Sequence, residues 1–296
     1  MSVGFTWDGA PLAGEAGGSL AAALHAAGIR VLGRSWRRSR PRGLYCLAGA
    51  CDGCQVLADG VATTACMTPL RDGVRVEPGR SLVPLPADPP ALGGYEEIEV
   101  DVLVVGAGEA GLRAAAVAEG RVLVVERDRE PGGWLLADPD GRARIEPLVA
   151  AAGAEVRTSA TFIGRFADGL CGVVSAAGLM AVRAARVEAH AGFDECGLAF
   201  PGNDLPGILL AAGAQRLLVR DGVPAGRRVV IAAVDGEGGE IAGLLRAAGS
   251  NVQVVPAGAV TAAHGDEVLE AVTADGGTLA CDALLLAVGR RAARVP

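Results

Sequence analysis

The feature that most constrains this chain is a glycine loop set between two strands. Asp101 to Val105 (DVLVV) is an apolar run of buried-strand type, followed directly by Gly106-Ala107-Gly108-Glu109-Ala110-Gly111. Gly108 to Ala118 reads as a small-residue helix, and Arg121 to Glu126 (RVLVVE) as a second strand ending in an acid. A G-x-G-x-x-G between strand and helix, with a carboxylate twenty residues after its first glycine, is the context a dinucleotide-binding turn requires. Gly106 makes the turn, Gly108 admits a pyrophosphate, and Gly111 lets helix and strand pack closely. The helix N-terminus then favours phosphate charge. Glu126 has the reach to accept from both ribose hydroxyls, which favours FAD or NAD over a 2′-phosphate. Arg127 and Arg129 soften that inference, and Arg127 joins the expected cofactor contacts. Pro131-Gly132-Gly133 follows, a glycine pair more typical of FAD folds, so Gly133 is expected there too.

A second unit of this kind starts at Arg227, with RRVVIAA, a Gly-rich turn, a helix from Glu240 to Ala248 and the strand Asn251 to Val255. Its loop is degraded: the fingerprint glycines fall on Ala233, Asp235 and Gly238, and a carboxylate at Asp235 opposes a pyrophosphate. Val156 to Val187 reads as a small antiparallel meander. Upstream, Asp8-Gly9 and Asp59-Gly60 mark two hairpins, and Ser19 caps a helix that ends before Gly28. Four prolines and two glycines make residues 81–98 a linker.

Cys46, Cys51, Cys54 and Cys66 are spaced C-x4-C-x2-C-x11-C. The first three have the plant-type ferredoxin spacing of a [2Fe–2S] cluster, one tight loop supplying three thiolates and backbone N–H groups. Four cysteines also suit structural zinc, although zinc sites usually pair two C-x2-C knuckles and only one is present. Cys171, Cys196 and Cys281 are isolated and read as small buried hydrophobes.

Composition excludes several classes. All 27 positive charges are Arg, so Schiff-base chemistry and a phosphate-loop lysine are absent. A net charge of −7 argues against nucleic acid as the main partner. No apolar run approaches membrane-spanning length, and the N-terminus lacks a secretory pattern. The expectation is a cytoplasmic protein whose cysteines serve metal or redox chemistry. No catalytic base or nucleophile stands out. His25 reads as a partly exposed helix residue, His190 as a loop residue beside the cofactor cleft, and His264 as surface. Trp36 to Arg42 (WRRSRPR) is either a solvated loop or a docking patch for an acidic redox partner.

Pro41-Arg42-Gly43 before the first cysteine, the cysteine spacing itself, Ala65-Cys66-Met67-Thr68-Pro69 and the stretch Phe200 to Gly207 (FPGNDLPG) together carry a resemblance. The chain resembles the FAD-dependent oxidoreductases with a ferredoxin-like N-terminal domain, the family of sarcosine oxidase α subunits, opine oxidase subunits, hydrogen cyanide synthase and dye-linked proline dehydrogenase subunits. The resemblance implies cluster ligation by Cys46, Cys51, Cys54 and Cys66. It implies dinucleotide contacts, FAD rather than NAD, at Gly106, Gly108, Gly111 and Glu126, and an FAD-dependent amine- or amino-acid-oxidase-like partner subunit. Where the family has Ala-Thr-Gly this chain has His190-Ala191-Gly192, keeping Gly192 as a contact, and Glu195 takes the acidic position that follows. The chain also ends at Pro296, sooner than the family pattern, so the cofactor site is expected to be less enclosed or completed by another subunit.

The expected fold is α/β: a β-grasp, ferredoxin-like domain over 1–80, then two Rossmann-like dinucleotide-binding domains of disulfide-reductase type. The first, for FAD, spans 99–205 with 282–296 returning to it; the second, degraded, spans 206–281. The expected function is electron transfer between flavin and cluster within an amine or amino-acid dehydrogenase or oxidase complex. A non-catalytic scaffold subunit and an NAD(P)H:acceptor reductase are the rival readings.

Overall fold

The computed structural model describes residues 1–80, 93–234 and 236–295. The chain divides into two compact units, Met1–Pro84 with Glu195–Arg291 and Leu85–Asp194 with Ala292–Pro296.

The first unit opens with the hairpin β1 (Ser2–Trp7) and β2 (Ala10–Glu15), in register Trp7↔Ala10. Its Asp8 and Gly9 both have positive φ, the twist a two-residue hairpin needs. Helix α1 (Leu20–Ala26) is capped by Ser19, whose Oγ accepts the Ala22 N–H at 3.1 Å. Short strands β3 (Gly33–Arg34) and β4 (Pro41–Arg42) form a hairpin, and β5 (Gln55–Ala58) and β6 (Val61–Thr64) another. Strand β7 (Arg75–Arg80) joins them, parallel to β1 and β3 and antiparallel to β5. Helix α1 is buried from Leu20 to His25.

The second unit is built on one six-stranded sheet. Strands β8 (Gly94–Val105), β9 (Val122–Val125) and β10 (Glu155–Arg157) are parallel, linked through helices α2 (Glu109–Val117) and α3 (Gly141–Ala152). Strands β11 (Ala160–Arg165), β12 (Leu170–Ser175) and β13 (Gly178–Ala189) form the antiparallel meander expected from the sequence. The meander is continuous with the parallel part, because β13 runs beside β8 from Gly178↔Gly94 to Ala189↔Val105. This corrects the expected linker: β8 begins at Gly94, and its Ile98 is buried opposite Val182. The proline-rich residues 81–92 lie outside the described residues.

After β14 (Phe193–Glu195) the chain is again in the first unit. Here β15 (Ile208–Leu210), helix α4 (Ala211–Asp221), β16 (Arg228–Ala233), helix α5 (Gly239–Ala247) and β17 (Asn251–Pro256) form the second nucleotide-binding fold. A three-stranded sheet follows, β18 (Val260–His264), β19 (Ala271–Ala274) and β20 (Gly277–Ala280). Strand β21 (Ala283–Ala287) lies between β15 and β16, parallel to both. For residues 282–291 this corrects the expected return to the first nucleotide-binding domain, whereas the chain from Ala292 does return to it, the Ala293 N–H donating to Gly192 O at 3.1 Å. An Ala-Leu-Leu-Leu-Ala run, buried at every position, takes a central place covered on both faces. Residues 195–205 also belong with this unit. One apolar core runs from the N-terminal domain into this fold, joining Leu20, Leu24 and Val56 to Leu217, Ile231 and Leu285. Among the described residues no helix is long and apolar enough to cross a membrane.

Candidate functional site

The four sequence-selected cysteines come together at one end of the N-terminal domain. Cys46, Cys51 and Cys54 lie on the loop between β4 and β5, and Cys66 follows β6. Cys46, Cys54 and Cys66 are buried and Cys51 is half-buried. The loop turns through left-handed Leu47 and Gly49. This aims backbone N–H groups at sulfur: Ala48 donates to Cys46 Sγ at 3.5 Å, with Ala50 and Cys51 adding to it, while Gly53 serves Cys51 and Gly49 serves Cys66.

The thiols form two pairs. Cys51 is hydrogen-bonded to Cys46, and Cys66 to Cys54. The bond from Cys51, joined by the backbone donors, holds the Cys46 thiol down to about 6. The same pairing, then burial, pushes Cys51 well above its ordinary range, and Cys66 likewise. Among the described residues no three His, Cys, Asp or Glu side chains gather round a point that holds one metal ion. Four soft donors in two pairs, with N–H groups close by, suit a [2Fe–2S] cluster.

In the second unit the glycine loop has the shape its sequence requires. Gly106 has φ +105°, and a Cβ there would come 2.4 Å from the His190 carbonyl oxygen. A Cβ on Gly111 would come 1.9 Å from the Gly106 carbonyl oxygen, so the start of α2 packs on the turn as only glycine allows. Gly108 faces open space, with Gly133 Cα its one neighbour at 4.0 Å. Gly132 donates to Ala107 O at 2.8 Å, which places Gly133 beside the loop. His190 also lies against the loop, its N–H donating to Val105 O at 2.8 Å. Gly192, two residues on, is exposed and packs on Trp134.

Glu126 sits at the end of β9, buried. Its carboxylate accepts the Ala107 N–H at 2.8 Å and the Asp128 N–H at 2.9 Å. Each oxygen keeps a lone pair for a further donor. Arg127 is exposed beside it. An open approach at Gly108, a helix N-terminus behind it and a buried acceptor at the strand end fit an adenine dinucleotide.

Several features were not legible beforehand. Trp134 stacks on Phe193, centroids 4.6 Å apart and 6° from parallel, and donates to the Phe193 carbonyl. Two aromatics 59 residues apart carry no spacing signal. His25 is 3% exposed, against the expectation of partial exposure, because α1 is covered on its far side by Ala225. Cys196 is half-buried rather than buried, whereas Cys171 and Cys281 are buried. His264 is exposed, bonded to Thr273 Oγ1. Glu195 accepts the N–H groups of Ala212 and Gly213 at the start of α4, at 2.7 and 3.0 Å. Burial pushes Glu195 up to about 7. In the second loop Gly238 caps α5, and Ala233 packs 3.4 Å from the place a Gly238 Cβ would take. Asp235 lies outside the described residues.

Residues 1–80 match the 2Fe-2S iron-sulfur cluster binding domain family, and they form such a domain. The chain is similar to the sarcosine oxidase subunit alpha of Corynebacterium sp. (strain P-1), 30% identical over 90% of this chain and 31% of that subunit. It is also similar to the one from Rhizobium meliloti (strain 1021), 28% identical over 86% of this chain and 34% of that subunit. It spans about a third of the length of these relatives. Among solved structures, L-proline dehydrogenase from P. horikoshii superposes with a TM-score of 0.84 at 25% identity, over 98% of this chain and 60% of that one. The NAD-dependent persulfide reductase from A. fulgidus shares the fold, with a TM-score of 0.52 at 14% identity over 66% of this chain and 46% of that one. The fold is thus a ferredoxin-like domain joined to dinucleotide-binding folds of the reductase type.

Proposed function

We propose that this chain is the electron-transfer subunit of a multi-subunit, FAD-dependent amine or amino-acid dehydrogenase or oxidase in the cytoplasm. The observation that carries the reading is the likeness to L-proline dehydrogenase over 98% of the chain, cluster loop and glycine loop included. A [2Fe–2S] cluster supplies one-electron chemistry and a flavin both one- and two-electron chemistry when bound. Cys46, Cys51, Cys54 and Cys66 would hold the first, their thiolates already bonded by the loop N–H groups. Gly106, Gly108, Gly111, Gly133 and Glu126 seat the dinucleotide, with Arg127 and Gly192 at its margins. No catalytic acid or base is assigned, and substrate oxidation belongs to an amine- or amino-acid-oxidase-like partner subunit.

The hairpin of β3 and β4 suits an acidic redox partner. Arg40 pairs with Asp204 at 2.8 Å and Arg34 with Glu267, fixing the hairpin on the second nucleotide-binding fold. At its tip Trp36 is 63% exposed, with Arg37 stacked over its ring at 4.7 Å. The hairpin leads straight into the loop that holds Cys51, the least buried of the four thiols.

Anaerobic purification with flavin and iron quantification tests the reading. About two irons per chain together with flavin, and capture of a flavoprotein oxidase subunit, are expected. Iron without nucleotide would favour the scaffold reading, whose support is the second glycine loop, where Ala233 and Asp235 replace two of the three fingerprint glycines. Neither cofactor would overturn both.

A further inference from the structure

The first turn of α4 is pressed against the cluster loop. Leu210, its cap, donates to the Tyr45 carbonyl at 2.9 Å. A Cβ on Gly213 would lie 2.4 Å from the Cys46 carbonyl oxygen and 3.4 Å from Leu47 Cβ, so only glycine lets the helix come this close. A helix N-terminus carries unsatisfied N–H groups and partial positive charge. Two of those N–H groups, on Ala212 and Gly213, donate to Glu195. Its carboxylate is half-buried. The charged and polar groups it faces are Arg290, Cys46 and the Tyr45 phenol. Glu195 is therefore a carboxylate one residue's contact away from a cluster ligand, and no other role in the site uses it.

We propose that Glu195 is a positioning residue for the [2Fe–2S] cluster: it clamps the N-terminus of α4 onto the Cys46 loop, and its negative charge makes the cluster harder to reduce. The inference rests on the cluster assignment and not on the flavin or the partner. Removing the charge also unmasks the positive helix end, and both changes have the same sign. They raise the potential.

The test is a redox titration of the anaerobically purified full chain at pH 8.5, followed by electron paramagnetic resonance, for wild type, Glu195→Gln and Glu195→Asp. Glu195→Gln is expected to keep its iron and to raise the reduced-to-oxidised ratio at fixed potential by the order of tenfold, about 59 mV for a one-electron couple. Glu195→Asp keeps the charge and is expected to stay near wild type. A full-cluster Glu195→Gln at the wild-type potential overturns the proposal, as does a Glu195→Asp shift equal to that of Gln. A Glu195→Gln protein that loses iron while Glu195→Asp keeps it supports the clamp, and a Glu195→Asp protein above the wild-type potential overturns the charge effect. Wild type without iron would instead sink the cluster assignment.

Discussion

The imidazole Nε2 of His25 lies 2.9 Å from the carbonyl oxygen of Ala225, two hundred residues along the chain. This bond ties α1 of the cluster domain to the nucleotide-binding fold that shares its core. Nε2–H donates to that carbonyl in the neutral and the charged ring alike, so burial and not this bond selects the neutral form. Burial, with Arg30 adding repulsion, lowers the His25 pKa from 6.5 to about 4. The unfolded chain therefore binds a proton between those values that the folded chain refuses. The stability from His25 is complete above the unfolded pKa and is lost as pH falls from there to about 4, by at most about 3 kcal/mol. Urea unfolding at pH 7.5 and pH 5 reads this slope. His25→Gln is expected to flatten it, and equal slopes in both proteins would refute the account.

Gly213→Ala is expected to damage the cluster without touching a ligand. The added methyl would meet the Cys46 carbonyl at 2.4 Å, so either the loop or the helix must shift. A loss of about 1–3 kcal/mol and a clear fall in iron per chain follow. Gly243→Ala is the control. That site is exposed in α5 with nothing within 4 Å of the new methyl, so iron is unchanged and stability rises slightly.

The two glycine contacts show what the sequence alone reveals. Gly111 lies five residues from Gly106, within one strand–turn–helix unit, and the spacing announces their contact. Gly213 lies 167 residues from Cys46, and no local pattern encodes that approach. The hairpins at Asp8-Gly9 and Asp59-Gly60 were legible because the turn chemistry is local. The place of β21 was not, because a five-residue apolar run fits any buried parallel strand and register decides which sheet receives it. The burial of His25 depends on a neighbour from the far end of the chain, and so escaped a reading of its own helix.

Gly111→Ala separates the two proposed cofactors. A methyl 1.9 Å from the Gly106 carbonyl breaks the turn that seats a pyrophosphate. The cysteines belong to the other compact unit. Acid-released flavin is expected to fall at least about tenfold, the order of one or two lost phosphate hydrogen bonds. Iron per chain stays at the wild-type level. A parallel loss of iron would contradict the independence of the two sites.

Cys66→Ser and Cys196→Ser distinguish ligands from bystanders. Cys66 is fully buried and paired with Cys54, whereas Cys196 is half-buried and belongs to neither thiol pair. Cys66→Ser is expected to abolish the cluster's visible absorption, leaving buried polar groups and a less stable domain. Cys196→Ser retains the spectrum. Retention in both would remove Cys66 from the ligand set.

Charge reversal at the hairpin tip tests whether the basic run is a docking patch. Five arginines lie between positions 34 and 42 of a chain whose net charge is −7, so the patch stands against the overall field. Arg34 and Arg40 are engaged in ion pairs, and of the other three Arg37 and Arg38 lie at the tip, away from the strand that carries Arg42. For the double variant Arg37→Glu with Arg38→Glu, the rate of electron transfer to an acidic ferredoxin at low salt is expected to fall about tenfold or more. The wild-type rate should drop towards the variant's as ionic strength rises, because the Debye length shrinks to about 3 Å at 1 M salt. Reduction by a small uncharged dye, which needs no steering, stays unchanged and excludes damage to the cluster. A ferredoxin rate independent of both salt and the substitutions would return Trp36 to Arg42 to the reading of a solvated loop.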